Sequence, residues 1–563
     1  MTNKTMINGL LCNPLTPTGN EQPPFGEHKD GSWIVDQEIN EVLETGLNLS
    51  QVFRDKPENY DAMIRASALT SAEREAVVCG ERRINWRNFD AMITRVAHTF
   101  IEAGLAPGDR AVVLLDNRLE FLVAMLACIR AGGIAIPLGT RLGPADIDHI
   151  LSDSRPILAI SASEWSSKFP KTSSIKKLFL IDSDEGLSGM LESVKTLGQA
   201  PIPAIDGSDT AVIIYTSGTT GKPKGACLTH SNLVHTCLHY VYALAIDRPI
   251  KSVLAIPGTH IAGFGPLISV TLASAGTIVL MPKFSPNDLL ELIETENVTY
   301  TVLVPAMYQL LVMKSAAENY DLSSWIYAIY GGSVMSPATI ERFGELIPGL
   351  RMVNAYGATE TTAVCTMMPP QLTEQNSSSV GLSLHCDEIK IVDQDGVELD
   401  YGEAGEIWVR GPNVSPGYWN NPAANKDAYH QGFWKTGDIG TIDADGFVYV
   451  HDRLKDMINR GGFKVFSAEV ENQLLSHHAI EDCAVVGVPD PILGEKAFAL
   501  ISTQDETLNH EDIRDYLLRR IADYKVPDYW GISSAAIPRN ANGKVQKADV
   551  RSMAMKAVER ARK

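Results

Sequence analysis

The chain has 563 residues, of which 45% are hydrophobic and 21% charged, and its formal net charge is −19. That length exceeds a single core and predicts about two to four domains. The acidic balance argues against non-specific nucleic-acid binding and against an anionic membrane surface as partner, but it leaves room for a nucleotide in a local basic pocket. The eight cysteines show no C-x-x-C pair and no ligand-like clustering with histidine. With no secretory leader evident, they read as reduced thiols in a cytoplasmic protein. One uncharged stretch, 261–282, is long enough for a membrane span. Gly263, Gly265, Pro266, Ser269, Ser274 and Gly276 interrupt it, so it reads as a buried helix near 266–273 followed by a strand at 277–281, with no membrane span.

Residues 1–32, rich in Pro, Gly, Asn and charge, read as a poorly ordered leader. Helical patterns follow at 36–44 and 60–67, and 82–86 reads as a hairpin arm. In 88–103, Phe89, Met92, Val96, Phe100 and Ile101 fall at helical spacing. A strand at 110–115, a helix at 119–131 stopped by Gly132-Gly133, and a strand at 134–138 give the alternation of a parallel α/β sheet. Strands recur at 157–161, 177–181, 211–215, 253–256, 278–281, 300–304, 326–330 and 351–355, with a helix at 286–296. From about 389 the pattern changes to short strands and tight turns (388–392, 405–410, 447–450), predicting a small antiparallel sheet or barrel. A new unit follows, with strands at 483–487 and 497–502 and helices at 468–475 and 510–521. The expected fold is α/β: a large N-terminal domain, 33–453, of parallel α/β sheets plus a small β-barrel-like subdomain, then a small α+β C-terminal domain, 454–563.

The densest chemistry lies at 215–225, Tyr-Thr-Ser-Gly-Thr-Thr-Gly-Lys-Pro-Lys-Gly, after the apolar run 211–215. Its glycines let backbone N–H groups approach an anion. Its hydroxyls at Thr216, Ser217, Thr219 and Thr220 and its ammonium groups at Lys222 and Lys224 add donors for phosphate oxygens. The loop is built to hold a polyphosphate, yet it does not match Gly-x-x-x-x-Gly-Lys-Ser/Thr. Farther on, Asn-Ala-Tyr-Gly-Ala-Thr-Glu at 354–360 follows a predicted strand. There Tyr356 is placed to stack on a base, Thr359 to bond a phosphate, and Glu360 to take a magnesium ion. In Lys-Thr-Gly-Asp, 435–438, Asp438 suits ribose hydroxyls, and Arg453 suits the same ribose or a phosphate. Lys544 follows a Gly turn near the carboxyl terminus.

Together, in this order, these five blocks resemble the adenylate-forming superfamily of acyl-CoA synthetases, aryl-CoA ligases, luciferases and peptide-synthetase adenylation domains, over about residues 50–550. The resemblance implies two steps: a carboxylate and ATP give an acyl-adenylate and pyrophosphate, then the CoA thiol takes the acyl group and AMP leaves, with Mg²⁺ required. It implies that Thr216, Ser217, Gly218, Thr219, Thr220 and Lys224 hold the β- and γ-phosphates. Ser333, Asn354, Ala355, Tyr356, Gly357 and Thr359 complete the nucleotide site, with Tyr356 on adenine. Glu360 takes Mg²⁺, Asp438 and Arg453 bind ribose, and Lys544 bridges the carboxylate and α-phosphate. Lys455 falls at the hinge of a mobile C-terminal domain, and Gly461, Gly462 and Lys464 line the thiol tunnel. His260 resembles a residue that gates the acyl site, with Gly331 and Gly332 beside it. The region 256–260 reads Ile-Pro-Gly-Thr-His where amino-acid-activating relatives carry Phe-Asp, which disfavours an amino-acid substrate. Phe264, Leu267, Val334 and Met335 fit a hydrophobic acyl or ring substrate. Two other readings stay open: an acyl-AMP ligase that loads a carrier protein, and a non-catalytic nucleotide-binding protein of the same fold.

Overall fold

The computed structural model describes residues 5–7, 10–12, 43–45, 51–53, 56–170, 174–183, 201–216, 222–314, 317–333, 335–539 and 545–562. Its strands are short apolar runs buried on both faces, as parallel sheets flanked by helices require. One sheet orders Lys177–Leu180, Leu158–Ser161, Arg110–Leu114, Ile134–Leu138, Thr210–Thr216 and Lys224–Thr229. The first five strands run parallel, and Lys224–Thr229 pairs antiparallel with Thr210–Thr216. A nine-stranded sheet has a parallel centre, from Arg351–Tyr356 through Tyr327–Tyr330, Tyr300–Leu303, Lys251–Leu254 and Thr277–Leu280 to Glu75–Cys79. The helix Leu119–Arg130 is buried along its whole length, as its nearly unbroken apolar sequence demands. Its one inward cation, Arg130, is 1% exposed and pairs with Asp61 at 2.8 Å, so the buried charge is compensated.

The chain divides into two compact units. One comprises Met1–Ile389, Val409–Trp434 and Asp445–Val448; the other comprises Lys390–Trp408, Lys435–Ala444 and Tyr449–Lys563. The expected region of short strands forms a five-stranded sheet of Glu388–Val392, Gly405–Arg410, Phe433–Ile442 and Tyr429–His430, with Val448–Arg453 also beside Phe433–Ile442. The second unit has its own core, centred on the hairpin Asp482–Asp490 and Gly494–Ser502 and the helices Ser467–Leu475 and His510–Leu518.

Three local expectations change. The helix at 36–44 is not formed at its end: Leu43–Thr45 is a strand paired with Gln51–Phe53, and 36–42 lies outside the described residues. Within the expected leader, Thr5–Ile7 pairs with Leu10–Cys12. The helix expected at 266–273 starts earlier and is π-helical over Gly263–Ser269 before turning α-helical over Val270–Ala273. Pro266 has no N–H to give and widens the turn. Ser269 Oγ donates to the Phe264 carbonyl at 2.7 Å inside it. Among the described residues, no helix is long and apolar enough to cross a membrane. Cys79, Cys128, Cys227, Cys237, Cys365, Cys386 and Cys483 are free thiols.

His230, His235 and His239 lie on one buried helix, His230–Ala243. Burial holds the first two at about 4 and about 3, and the third well below the usual imidazole range. Unfolding returns each to about 6.5, so the unfolded chain takes up protons that the native state refuses. Their stabilising effect is complete above about pH 6.5 and is lost as pH falls toward the folded values. Thermal unfolding should therefore show a midpoint that drops between pH 7 and pH 4. The drop should be shallower in His235→Leu; an unchanged slope in that variant would count against this origin.

Candidate functional site

Six parallel strands deliver their carboxyl ends to one edge of the nine-stranded sheet, where ligands of such sheets bind. Three sequence-predicted groups lie there: 255–260, 331–333 and 356–360. Gly331 ends Tyr327–Tyr330, and a Cβ on it would stand 2.2 Å from the Ala355 carbonyl oxygen. Its glycine is thus required for the close approach of neighbouring strand ends. Gly332 has φ +79°, and Ser333 is exposed. On the adjacent strand, Asn354 is buried and donates to the Ser379 carbonyl at 3.1 Å. Tyr356 ends that strand half-buried. Gly357 turns against the Ala363 carbonyl, 2.4 Å from where a Cβ would stand. The turn Thr359–Thr361 then buries Thr359 and Glu360.

Glu360 is the best-held carboxylate of this edge. Its Oε1 accepts from Tyr418 Oη at 2.7 Å, and its backbone carbonyl accepts from Ser415 N at 2.7 Å. Burial and the Glu360 charge both push the Tyr418 phenol far above its ordinary range, so it donates and does not ionise. The ring of Tyr418 carries the Lys224 ammonium, 5.3 Å from its centroid. The segment 415–419 also pairs with the strand Lys224–Thr229. Cys227 N donates to Gly417 O at 2.9 Å, Trp419 N donates to Gly225 O at 2.7 Å, and Ser415 Oγ donates to Cys227 O at 2.8 Å. Lys224 and Glu360, 136 positions apart in numbering, thus both contact one tyrosine, the first at its ring and the second at its hydroxyl. Sequence reasoning missed Tyr418 and Ser415. The available signal was an aromatic pair, Tyr418-Trp419, following Pro416-Gly417, where a plain turn would be polar.

Among the described residues no cluster of three or more Cys, His or acidic groups is set to hold a metal. A single buried carboxylate with one oxygen engaged fits magnesium, which is held by one or two carboxylates plus substrate phosphates.

His260 lies in a turn set by other groups. Asn117 accepts from Gly258 N at 2.9 Å and donates to the Leu254 and Ile256 carbonyls at 3.0 and 2.9 Å. The His260 carbonyl receives Gly263 N and Phe264 N at 3.0 and 2.9 Å, opening the π-helical turn. Asn117 was not foreseen. Phe264, Leu267 and Met335, expected to flank an acyl pocket, are at most 2% exposed and belong to the main core cluster; they are packing residues. Val334 lies outside the described residues.

Apart from the loop residues 216–220, the remaining groups belong to the second unit. Asp438 is fixed by Thr436, whose Oγ1 accepts from Asp438 N at 2.9 Å and donates to Ile407 O at 2.8 Å. Asp438 Oδ1 meets Arg453 Nε at 2.7 Å. The aspartate side chain is 7% exposed and the arginine 48%, so the carboxylate is anchored and the guanidinium faces solvent. Lys455 is exposed just beyond. Gly461 and Gly462, at φ +61° and +94°, join Ile458–Arg460 to Phe463–Val465. Two positive φ values are what a two-residue hairpin needs, and Lys464 is exposed on it. Thr216 ends its strand half-buried. Ser217, Gly218, Thr219, Thr220 and Lys544 lie outside the described residues; the Lys544 segment is flanked by the bridge between Arg539 and Val545.

The family model described as AMP-binding enzyme matches residues 64–419, and that of the AMP-binding enzyme C-terminal domain matches 469–544. A feruloyl-CoA synthase of Amycolatopsis is 32% identical over 86% of this chain and 96% of its own. A long-chain-fatty-acid–CoA ligase of Mycobacterium tuberculosis, FadD13, is 30% identical over 88% and 98%. The solved o-succinylbenzoate CoA synthetase of Bacillus subtilis, bound to ATP and magnesium, superposes with a TM-score of 0.78 at 30% identity over 86% of this chain and 98% of that one.

Tyr418→Phe removes the hydroxyl that donates to the buried Glu360 carboxylate. The loss should destabilise the protein by about 1–3 kcal/mol, the cost of a buried acceptor left without its donor. Urea unfolding at pH 7 measures it; a difference under about 0.5 kcal/mol would place this bond among the dispensable ones.

Proposed function

Because the chain belongs to the AMP-binding enzyme family and is an AMP-forming acid–thiol ligase, we propose that its site residues divide between two half-reactions as follows. The enzyme uses ATP and Mg²⁺ to activate a carboxylic acid, and then CoA as acyl acceptor. In the first step a carboxylate oxygen attacks the α-phosphorus. The bond to the bridging oxygen breaks, and its electron pair leaves with pyrophosphate. In the second, the CoA sulfur attacks the acyl carbon and loses its proton; the carbon–oxygen bond to AMP breaks, and AMP leaves.

In this reading Thr216, Ser217, Gly218, Thr219, Thr220 and Lys224 hold the departing pyrophosphate end. Tyr356, with Ser333, Asn354, Ala355 and Gly357, holds adenine, and Thr359 bonds a phosphate. Glu360 holds Mg²⁺, which offsets charge on the phosphate oxygens when bound. Asp438 and Arg453 take the ribose hydroxyls. Lys544 bridges the carboxylate and α-phosphate, where charge accumulates in the first step. His260, Gly331 and Gly332 border the acyl group. Residues 454–563 form the mobile domain, pivoting near Lys455 so that Gly461, Gly462 and Lys464 serve the thiol step. The observation that supports the assignment is the Lys224–Tyr418–Glu360 contact, in which one tyrosine links the proposed phosphate-binding cation to the proposed magnesium-binding anion.

The substrate is a small-molecule carboxylic acid with a hydrophobic acyl group, fatty or aromatic. The 256–260 turn offers no carboxylate to an α-ammonium group, and the similar proteins are named for feruloyl and long-chain fatty acids. The acceptor is free CoA, and the enzyme works in the cytoplasm. A carrier-protein acceptor is the competing outcome.

ATP–pyrophosphate exchange across a panel of acids, then AMP release with CoA, tests the activity. If only a phosphopantetheinylated carrier protein accepts the acyl group, the free-CoA reading falls. Lys544→Ala should lower exchange by about 10²–10³-fold, the effect of deleting one group aimed at developing charge. Thioester formation from supplied acyl-adenylate should largely persist. Equal loss of both half-reactions would overturn the role given to Lys544.

A further inference from the structure

Directly behind Glu360 lies a pair of polar side chains that the scheme above does not use. Asn413 is fully buried in the segment that also carries Ser415 and Tyr418. Its Nδ2 donates to the carbonyls of Val364 at 2.6 Å and Thr361 at 3.3 Å, and to Asp387 Oδ2 at 3.1 Å. Its own carbonyl accepts from Thr362 Oγ1 at 2.6 Å. One residue therefore grips the turn 361–364 from both its backbone and its side chain. That turn immediately follows Glu360 and contains two non-glycine residues at positive φ, Thr362 at 51° and Ala363 at 96°. Such backbone persists only where its surroundings over-determine it.

Two oxygens of this pair have no partner: Asp387 Oδ1 and Asn413 Oδ1, both shut off from solvent. They border the same small space. A Cβ on Gly411 would lie 1.9 Å from the first and 2.8 Å from the second, so position 411 must be glycine. Flipping the Asn413 amide gives no relief, since it would set an oxygen against the carbonyls of Val364 and Thr361. A proton on Asp387 satisfies both atoms. The acid O–H then donates to Asn413 Oδ1 while Oδ2 accepts from Nδ2, closing a ring of two hydrogen bonds.

The charged surroundings agree. Burial raises the Asp387 carboxyl well above the usual carboxylate range, against the hydrogen bond from Asn413. On its own segment, burial holds His385 neutral at about 4 and raises the Cys386 thiol, next to which Lys56 contributes charge. Glu388 is paired with Arg410, from the strand that leads into Gly411. Asp387 itself has no ion-pair partner among the described residues.

We propose that Asp387 is a positioning residue for adenylation, held as a neutral acid in a reciprocal pair with Asn413 that braces the turn behind Glu360. The proposal rests on the reading that Glu360 holds the metal–nucleotide. Infrared difference spectra between the wild-type protein and Asp387→Asn at pH 7 should show a protonated carboxylic-acid carbonyl band belonging to Asp387. In ATP–pyrophosphate exchange, Asp387→Ala should weaken apparent Mg²⁺ affinity by roughly tenfold, as loss of a group behind a metal ligand does. Asp387→Asn, which can rebuild the ring as a pair of amides, should restore it. Folding favours the protonated form, so this group's contribution to stability falls as pH rises from the ordinary carboxylate range toward its raised folded value. The stability of Asp387→Asn relative to wild type should accordingly grow with pH.

An ionised Asp387 in the infrared spectrum would overturn the proposal, and so would an Asn variant as impaired as the Ala variant. Should the Ala variant fail to fold, the spectrum and the Asn variant still decide. Glu360→Gln with unaltered exchange would instead remove the role given to Glu360 and leave the infrared result standing.

Discussion

The antiparallel pairing of 415–419 with the strand Lys224–Thr229 is the contact on which the site of the first unit depends. Without it, the six-stranded sheet ends at the strand that begins with Lys224 and the nine-stranded sheet carries the turn that holds Glu360, each with half of the proposed site. Three backbone or hydroxyl hydrogen bonds fix the segment, and Ser415 and Tyr418 then reach across to Glu360. The pairing also offsets an electrostatic cost. A buried carboxylate beside a buried aromatic ring is unfavourable alone. A donated hydroxyl on one side and an ammonium over the ring make the arrangement tolerable and leave the second carboxylate oxygen for a cation.

The second unit follows a different logic. Asp438 is locked by its neighbour Thr436 and by Arg453, whose own backbone N–H bonds to Asp452. Asp452 in turn accepts from both N and Oγ of Ser467, and Lys547 reaches Ser467 Oγ at 2.6 Å and Glu471 at 3.0 Å. The proposed ribose-binding groups and the helix that follows the Lys544 segment are therefore tied into one polar network. Such networks rigidify when all members are satisfied.

How much of this was legible depended on range. Strands such as Arg110–Leu114, Tyr300–Leu303 and Tyr327–Tyr330 could be read because short apolar runs between turns have few alternatives in a parallel sheet. Thr216, Gly331 and Tyr356 lie at or just past strand ends, where an apolar run gives way to a polar turn that the sequence marks. The strand Lys224–Thr229 could not be read, because its start, Lys224-Gly225 after Pro223, looks like loop and hides a β-arm that pairs with Thr210–Thr216. Tyr418, Ser415, Asn117, Asn413 and Asp387 were illegible for one shared reason. Each acts through a backbone group or side chain more than 20 positions away, and nothing in the local pattern of a loop reports such a partner. The apolar residues near His260 failed in the opposite sense, since a pocket wall and a core wall have the same composition.

With 215–225 as the proposed phosphate site, its setting between two antiparallel strands bears on how pyrophosphate departs. In a loop that opens directly into a helix, fixed backbone dipoles face the anion. Here a whole strand intervenes before the helix His230–Ala243, capped by Thr229, which places that helix's N-terminus roughly 17 Å along the chain from Lys224. The attraction for an anion at the proposed loop then owes nothing to that helix and comes from the loop's own backbone N–H groups and side chains, and the side chains rotate. A lysine resting on a tyrosine ring can follow a leaving anion outward and then return to the ring, so the grip can loosen without any rearrangement of the sheet beneath it.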